Sequence, residues 1–153
     1  MDETQKLIAV IGGGSCLSED YSIAVEVGKL LAEKNIGVIC GGMSGIMEAA
    51  CKGAREAGGV AIGILPGNDP SEANQYVTIP IATGLGIGRN IIIIRSASAC
   101  IAVNGKYGTL SEIAYALQLG KPVITLNSWN EIPGTIQSSS AEEAVNLAIS
   151  IIQ

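Results

Sequence analysis

Residues 102–117 read AVNGKYGTLSEIAYAL, and they hold the side chains of this chain best suited to chemistry. An apolar run ends, Gly105 and Gly108 flank Lys106 and Tyr107, and a helical pattern opens around Thr109 and Glu112. A glycine loop running into a helix suits a phosphate, because unpaired N–H groups and the positive end of the helix dipole meet there. The chain has no His, and no cysteine stands beside an obvious base, so acid–base work falls to carboxylates, Lys or Tyr. Glu112 is the candidate acid. The same stretch has a plain structural meaning too: Thr109-Leu110-Ser111-Glu112 has capping-box spacing, with the glutamate bonding back to the threonine N–H. Spacing divides evenly between the two. Arg89 is the candidate cation. It follows GLGIG, which lets a helix start close to an anion that a guanidinium grips bidentately; its plain alternative is a solvated helix cation.

Two further strand-to-helix junctions are glycine-rich. One holds Gly13, Gly14 and Ser15; the other is Gly41, Gly42, Met43, Ser44 and Gly45. In an open parallel sheet such junctions share the carboxyl edge, where ligands bind near the switch in strand order. Three on one edge point to a phosphorylated ligand cradled by these loops together with Gly105, Lys106, Tyr107, Gly108 and Thr109. The ligand is not read as NAD: after Gly12 and Gly14 the third fingerprint position is Leu17, and the second strand ends without an acid. A Walker loop is excluded as well, since Gly105-Lys106 is followed by Tyr107 and Gly120-Lys121 by Pro122.

The elements that must position these loops alternate. LIAVI (7–11), IGVIC (36–40), VAIGIL (60–65), YVTIPI (76–81), ACIAV (99–103) and PVITL (122–126) read as strands. Pro80 marks the exit or edge of the fourth. Helices follow from Ser18 as N-cap to about Asn35, over 45–57, from Arg89 through the isoleucine cluster, and from the quoted loop to Leu119. A last one, AEEAVNLAISII, opens on a Ser140/Glu143 capping box. Residues 127–139 give no clear pattern. Strands and helices at crossover spacing predict one Rossmann-like, doubly wound α/β domain over residues 1–153. Its sheet should be mainly parallel, with six or seven strands and helices on both faces.

Composition narrows the class. A net charge of −5 argues against a nucleic-acid surface, which needs a basic stripe. The core must be aliphatic, because Phe is absent. Cys16, Cys40, Cys51 and Cys100 show no CxxC spacing, which with the lack of His predicts no metal site and a reduced, cytoplasmic protein. The N-terminal MDETQK is polar, unlike a signal peptide. NIIIIRSASACIAV is broken by Arg95 and too short to span a bilayer.

GGMSGIMEAACKGAREAGGVAIGILP, GRNIIIIRSASACIAVNGKYGTLSE and LGKPVITL together resemble the LONELY GUY (LOG) family, long mislabelled lysine decarboxylases. Within that superfamily the chain looks closest to the branch of molybdenum cofactor carrier proteins. The resemblance implies a binding protein for a phosphorylated nucleotide or pterin-type cofactor; molybdenum cofactor and a nucleotide monophosphate are the implied ligands, and neither is required for the fold. It also implies a homo-oligomer, dimer or tetramer, for which the apolar 91–94 stretch could supply an interface as easily as a core. The rival implication is a phosphoribohydrolase that cleaves the N-glycosidic bond of nucleoside 5'-monophosphates. The family motif P-G-G-x-G-T-x-x-E then places the catalytic Glu at Glu112, and the family's catalytic Arg falls on Arg89. The chain departs from the family at Asn104 for Pro, Lys106 for Gly, Ile87 for His and Asn90 for Lys, and its loop at 41–45 is one residue shorter. Lysine decarboxylation is the least favoured reading, since no pyridoxal-phosphate site can be argued.

Overall fold

The computed structural model describes residues 4–153, so the first three residues of the polar N-terminal stretch lie outside it. The strands are β1 (Leu7–Gly12), β2 (Gly37–Cys40), β3 (Ala61–Leu65), β4 (Ile79–Ala82), β5 (Ala99–Val103), β6 (Val123–Leu126) and β7 (Ile136–Ser138). The α-helices are α1 (Ser18–Glu33), α2 (Ile46–Glu56), α3 (Asn90–Ser96), α4 (Tyr107–Gln118) and α5 (Ala141–Ile152). Short 3-10 turns cover Pro70–Glu72 and Gly86–Arg89.

All seven strands pair in parallel, in the order β4-β3-β2-β1-β5-β6-β7. The chain therefore walks outward from β1 to β4, returns to the far side of β1, and walks out again. The switch in direction lies between β1 and β5, which pair from Ile8 with Ala99 to Gly12 with Val103.

Period-2 alternation divides the core in two, as expected when both faces of a sheet are covered. Ile8 and Val10 of β1 point to one face, where they meet Ala24, Val27 and Leu31 of α1, Ala50 of α2 and Ala144 of α5. Ala9 and Ile11 point to the other, against Ile93 and Ile94 of α3 and Ile113 and Ala116 of α4. Within the 91–94 stretch Ile93 and Ile94 are fully buried in this core and the partly buried Ile92 packs against it. Among the described residues no helix is long and apolar enough to cross a membrane.

Three local expectations are corrected. Leu17, not Ser18, is the N-cap residue of α1, because the first helical bond runs from Tyr21 N–H to the Leu17 carbonyl (3.0 Å). The strand expected at 76–81 begins only at Ile79: the Asn74 carboxamide takes the Tyr76 N–H (3.0 Å) and the Asn74 carbonyl takes the Val77 N–H (3.2 Å), closing a turn there. The unreadable segment contributes β7, three residues long at the far edge. Pro80 does lie on an edge strand, where a missing N–H costs no ladder bond. Ser140 caps α5 by accepting from the Glu143 N–H (3.1 Å), while the Glu143 carboxylate takes the neighbouring Ser139 hydroxyl (3.0 Å).

Candidate functional site

A cavity of about 610 Å³ opens at the switch point, above the carboxyl ends of β1 and β5. Two glycine loops floor it. After β1 come Gly13, Gly14 and Ser15; after β5 come Asn104, Gly105 and Lys106, then Gly108 and Thr109 in the first turn of α4. The first helical bond of α4 joins Leu110 N–H to the Lys106 carbonyl (3.0 Å), so the preceding N–H groups have no partner within the helix. The N–H groups of residues 18–20 at the start of α1 are placed in the same way.

Asn104 holds the second of these loops. Its backbone is left-handed (φ 50°), a conformation Asn tolerates because its short amide bonds locally. The amide accepts from the Gly105 N–H (2.7 Å) and donates to Asp20 of α1 (2.6 Å), and the Asn104 carbonyl accepts from Ser128 (2.8 Å). Gly105 stands at φ 110°, and any Cβ there would run into the Thr109 side chain. Lys106 is exposed at the rim. Tyr107 is 79% exposed and packs against Trp129, with ring centroids 6.1 Å apart, instead of facing the cavity.

Glu112 comes from the second turn of α4. The helix begins at Tyr107 with Lys106 as its N-cap, so Thr109 lies inside the first turn and the capping-box reading of Thr109 and Glu112 is overturned. Gly108, Thr109 and Glu112 are instead one stripe at i, i+1 and i+4 that continues into the buried Ile113 and Ala116. Being on that stripe, Glu112 is only 8% exposed although it lines the cavity. Burial pushes its carboxyl up to about 7, and the Arg89 guanidinium only partly offsets this.

Arg89 closes the 3-10 turn after β4 and also lines the cavity. It is half-buried: Nε donates to the Ile64 carbonyl (2.9 Å) and Nη1 to the Asn90 side chain. Burial lowers its basicity and the Glu112 carboxylate counters that; a guanidinium remains charged regardless. Gly41 leaves room for this side chain, since a Cβ there would lie 2.7 Å from Nη2.

The remaining predicted loop residues stand elsewhere. Of the loop at 41–45 only Gly41 reaches the cavity lining. The Gly42 N–H is taken by the Cys40 sulfur (3.3 Å), and the Met43 carbonyl by Asn74 Nδ2 (2.8 Å). The Ser44 hydroxyl donates to the Gly14 carbonyl (2.6 Å), and the Ile46 N–H to that of Gly13 (3.0 Å). A Cβ on Gly45, at φ 68°, would overlap the Gly13 carbonyl and lie 2.6 Å from Gly14 C. This loop buttresses the first one.

Sequence reasoning missed the buried Asn90 in the cavity lining and Asp20, which holds Asn104 from behind. The signal for Asp20 was its place on the stripe with Ala24, Val27 and Leu31, where an acid needs a polar partner. Leu17 and Ile87, 71% and 73% exposed, were also missed and form an apolar lip to the cavity. Cys16 lines the wall, and burial raises its thiol above the ordinary value.

These features define a doubly wound α/β protein with an anion-suited cavity at its topological switch. The chain belongs to the SLOG cluster4 family, whose model matches residues 5–151. A protein of Archaeoglobus fulgidus is 48% identical over 143 residues, 94% of each chain. A rice protein described as a probable cytokinin riboside 5'-monophosphate phosphoribohydrolase is 33% identical over 68% of this chain, which spans 50% of that protein's length. Among solved structures, the molybdenum cofactor binding protein of Rippkaea orientalis is similar with a TM-score of 0.94 and 35% identity, over 99% of this chain and 100% of that one. The molybdenum cofactor carrier protein of Chlamydomonas reinhardtii gives 0.86 and 30%, over 97% and 99%.

Proposed function

We propose that this protein binds a phosphorylated nucleotide or pterin-type molecule in the switch-point cavity, in the manner of a molybdenum cofactor carrier. The observation that carries this reading is convergence: bare backbone from two glycine loops, two helix N-termini, Arg89 and Lys106 all meet one cavity in an otherwise acidic chain. Backbone N–H groups and the two cations suit a phosphate. The molybdenum cofactor is a phosphorylated pterin, and the cavity fits such a molecule in charge and in its glycine-floored shape. Gly13–Ser15 and Gly105–Thr109 would hold the phosphate, and the Leu17/Ile87 lip would meet the flat ring. The exposed Ile79 and Ile81 of β4 and Leu85 just after it support self-association of this chain.

A second reading rests on Glu112. A buried carboxyl that titrates near neutrality in the same cavity as an arginine suits a group acting on a ribosyl centre, as in a nucleoside 5'-monophosphate phosphoribohydrolase. One experiment addresses both readings. The protein is incubated with AMP, free adenine is followed chromatographically, and AMP binding is measured by calorimetry. Binding without adenine release supports the carrier; release supports the hydrolase; neither would sink both.

A further inference from the structure

Glu112 sits where an anion-binding cavity should have no acid. It lines the same cavity as the glycine loops, is 8% exposed, and hangs from the core-facing stripe of α4, so it cannot swing out to solvent without breaking the packing of Ile113 and Ala116. The cation nearest to hand, Arg89, spends donors on the Ile64 carbonyl and the Asn90 amide. The other titratable groups around it are thiols, Cys40 at the end of β2 and Cys100 in β5. Cys40 is raised first by its bond to the Cys51 sulfur and then by burial, and Cys100 is pushed to about 12 by burial. Both are neutral and bring no compensating charge. Lys106 stands out at the exposed rim.

We propose that Glu112 is a specificity-determining residue that carries a proton when the cavity is filled: it donates a hydrogen bond to an acceptor atom of the bound anion, so ligand and proton are taken up together. This rests on the reading that the cavity binds a phosphorylated molecule. The physical case is the cost of the alternative. An ionised carboxylate and a phosphate dianion enclosed in one low-dielectric cavity repel, whereas a carboxylic acid has an O–H to give and no charge to oppose the ligand. In this fold the group already titrates near neutrality, and a bound anion raises it further. The step balances simply: one proton passes from solvent to the Glu112 carboxylate as one anion enters. The cavity therefore favours ligands that present an acceptor oxygen or ring nitrogen to the deep end of α4 over ligands that present a donor or a cation.

The test is calorimetry of AMP binding at pH 8 in two buffers of different ionisation enthalpy, with the wild type and Glu112→Gln. At that pH the free AMP phosphate is fully dianionic. The wild type is expected to take up close to one proton per AMP, and its affinity to fall about tenfold per pH unit between pH 7.5 and 9. Glu112→Gln, which keeps a donor of the same shape, is expected to take up almost none and to bind with little pH dependence. Binding by the wild type without proton uptake overturns the role of Glu112 and leaves the cavity reading standing. So does uptake that is equal in wild type and variant. Absence of AMP binding by both proteins overturns both. The wild-type pH series alone decides the matter if the variant folds poorly.

Discussion

The loops at 12–15 and 41–45 look alike on paper, each a glycine cluster between a buried strand and a helix, and the structure gives them opposite work. The first turns its backbone to the cavity. The second turns its backbone to the first: the α2 N-terminus donates to the Gly13 carbonyl, Ser44 donates to that of Gly14, and only Gly41 reaches the cavity, where it makes room for Arg89. Strand order explains the difference. β1 and β5 flank the switch point and their loops diverge around a gap, whereas β2 lies one strand away and its loop packs against a neighbour. A glycine can make space for a ligand or for another stretch of chain, and its chemistry does not say which.

The sharpest way to break this comparison is Gly45→Ala. Its φ of 68° and the Gly13 carbonyl that a Cβ would overlap predict a loss of roughly 3 kcal/mol, measured by urea unfolding. A change within a few tenths of a kcal/mol would mean the second loop is not a buttress. Glu112 comes next. Its carboxyl titrates at about 7 in the fold, against roughly 4.3 in an unfolded chain. Between these values the folded state binds more protons than the unfolded one, so stability is fullest below pH 4 and is lost as pH rises through 7. The contribution is about 4 kcal/mol. Glu112→Gln should flatten the dependence of the melting temperature on pH over that window.

Smaller effects sharpen the contrast from the cavity side. Lys106→Ala is expected to weaken AMP binding by roughly 1–3 kcal/mol, the range for a charge-assisted hydrogen bond. Its melting temperature should stay within error, because an exposed rim cation holds little of the fold together. Equal affinity in the two proteins would remove Lys106 from the site. Gly108→Ala is the counterpart of Gly45→Ala. A Cβ there meets nothing within 4 Å and lies in α4, so stability should rise by about 0.5–1 kcal/mol on helix propensity. Gly108 lines the cavity proposed to hold the ligand, so AMP affinity should fall even as the protein becomes more stable. Opposite signs at Gly45 and Gly108 would separate glycines kept for folding from glycines kept for a ligand.

The alternation of aliphatic runs and amphipathic stretches by itself determined the doubly wound sheet with helices on both faces, because period 2 and period 3.6 are written into the chain wherever an element buries a face. Motif order likewise determined the family, and the glycine junctions marked the sheet edge at which the cavity opens. Residues 127–139 gave no pattern because β7 is three residues long at an edge, paired with β6 and burying only part of Ile136. Only the tertiary structure decided which loops share a cavity, since that follows from strand order, and strand order is a long-range fact. It also removed the capping-box meaning of Glu112. That meaning depends on where α4 begins. A start at Tyr107 moves Glu112 off the cap and onto the buried stripe, where its burial and the nearby Arg89 set its chemistry. Asp20 became part of the site in the same way, through an Asn104 that lies 84 residues away in sequence and 2.6 Å away in space. Spacing along a chain encodes neighbours on one element; it cannot encode which element folds back to meet it.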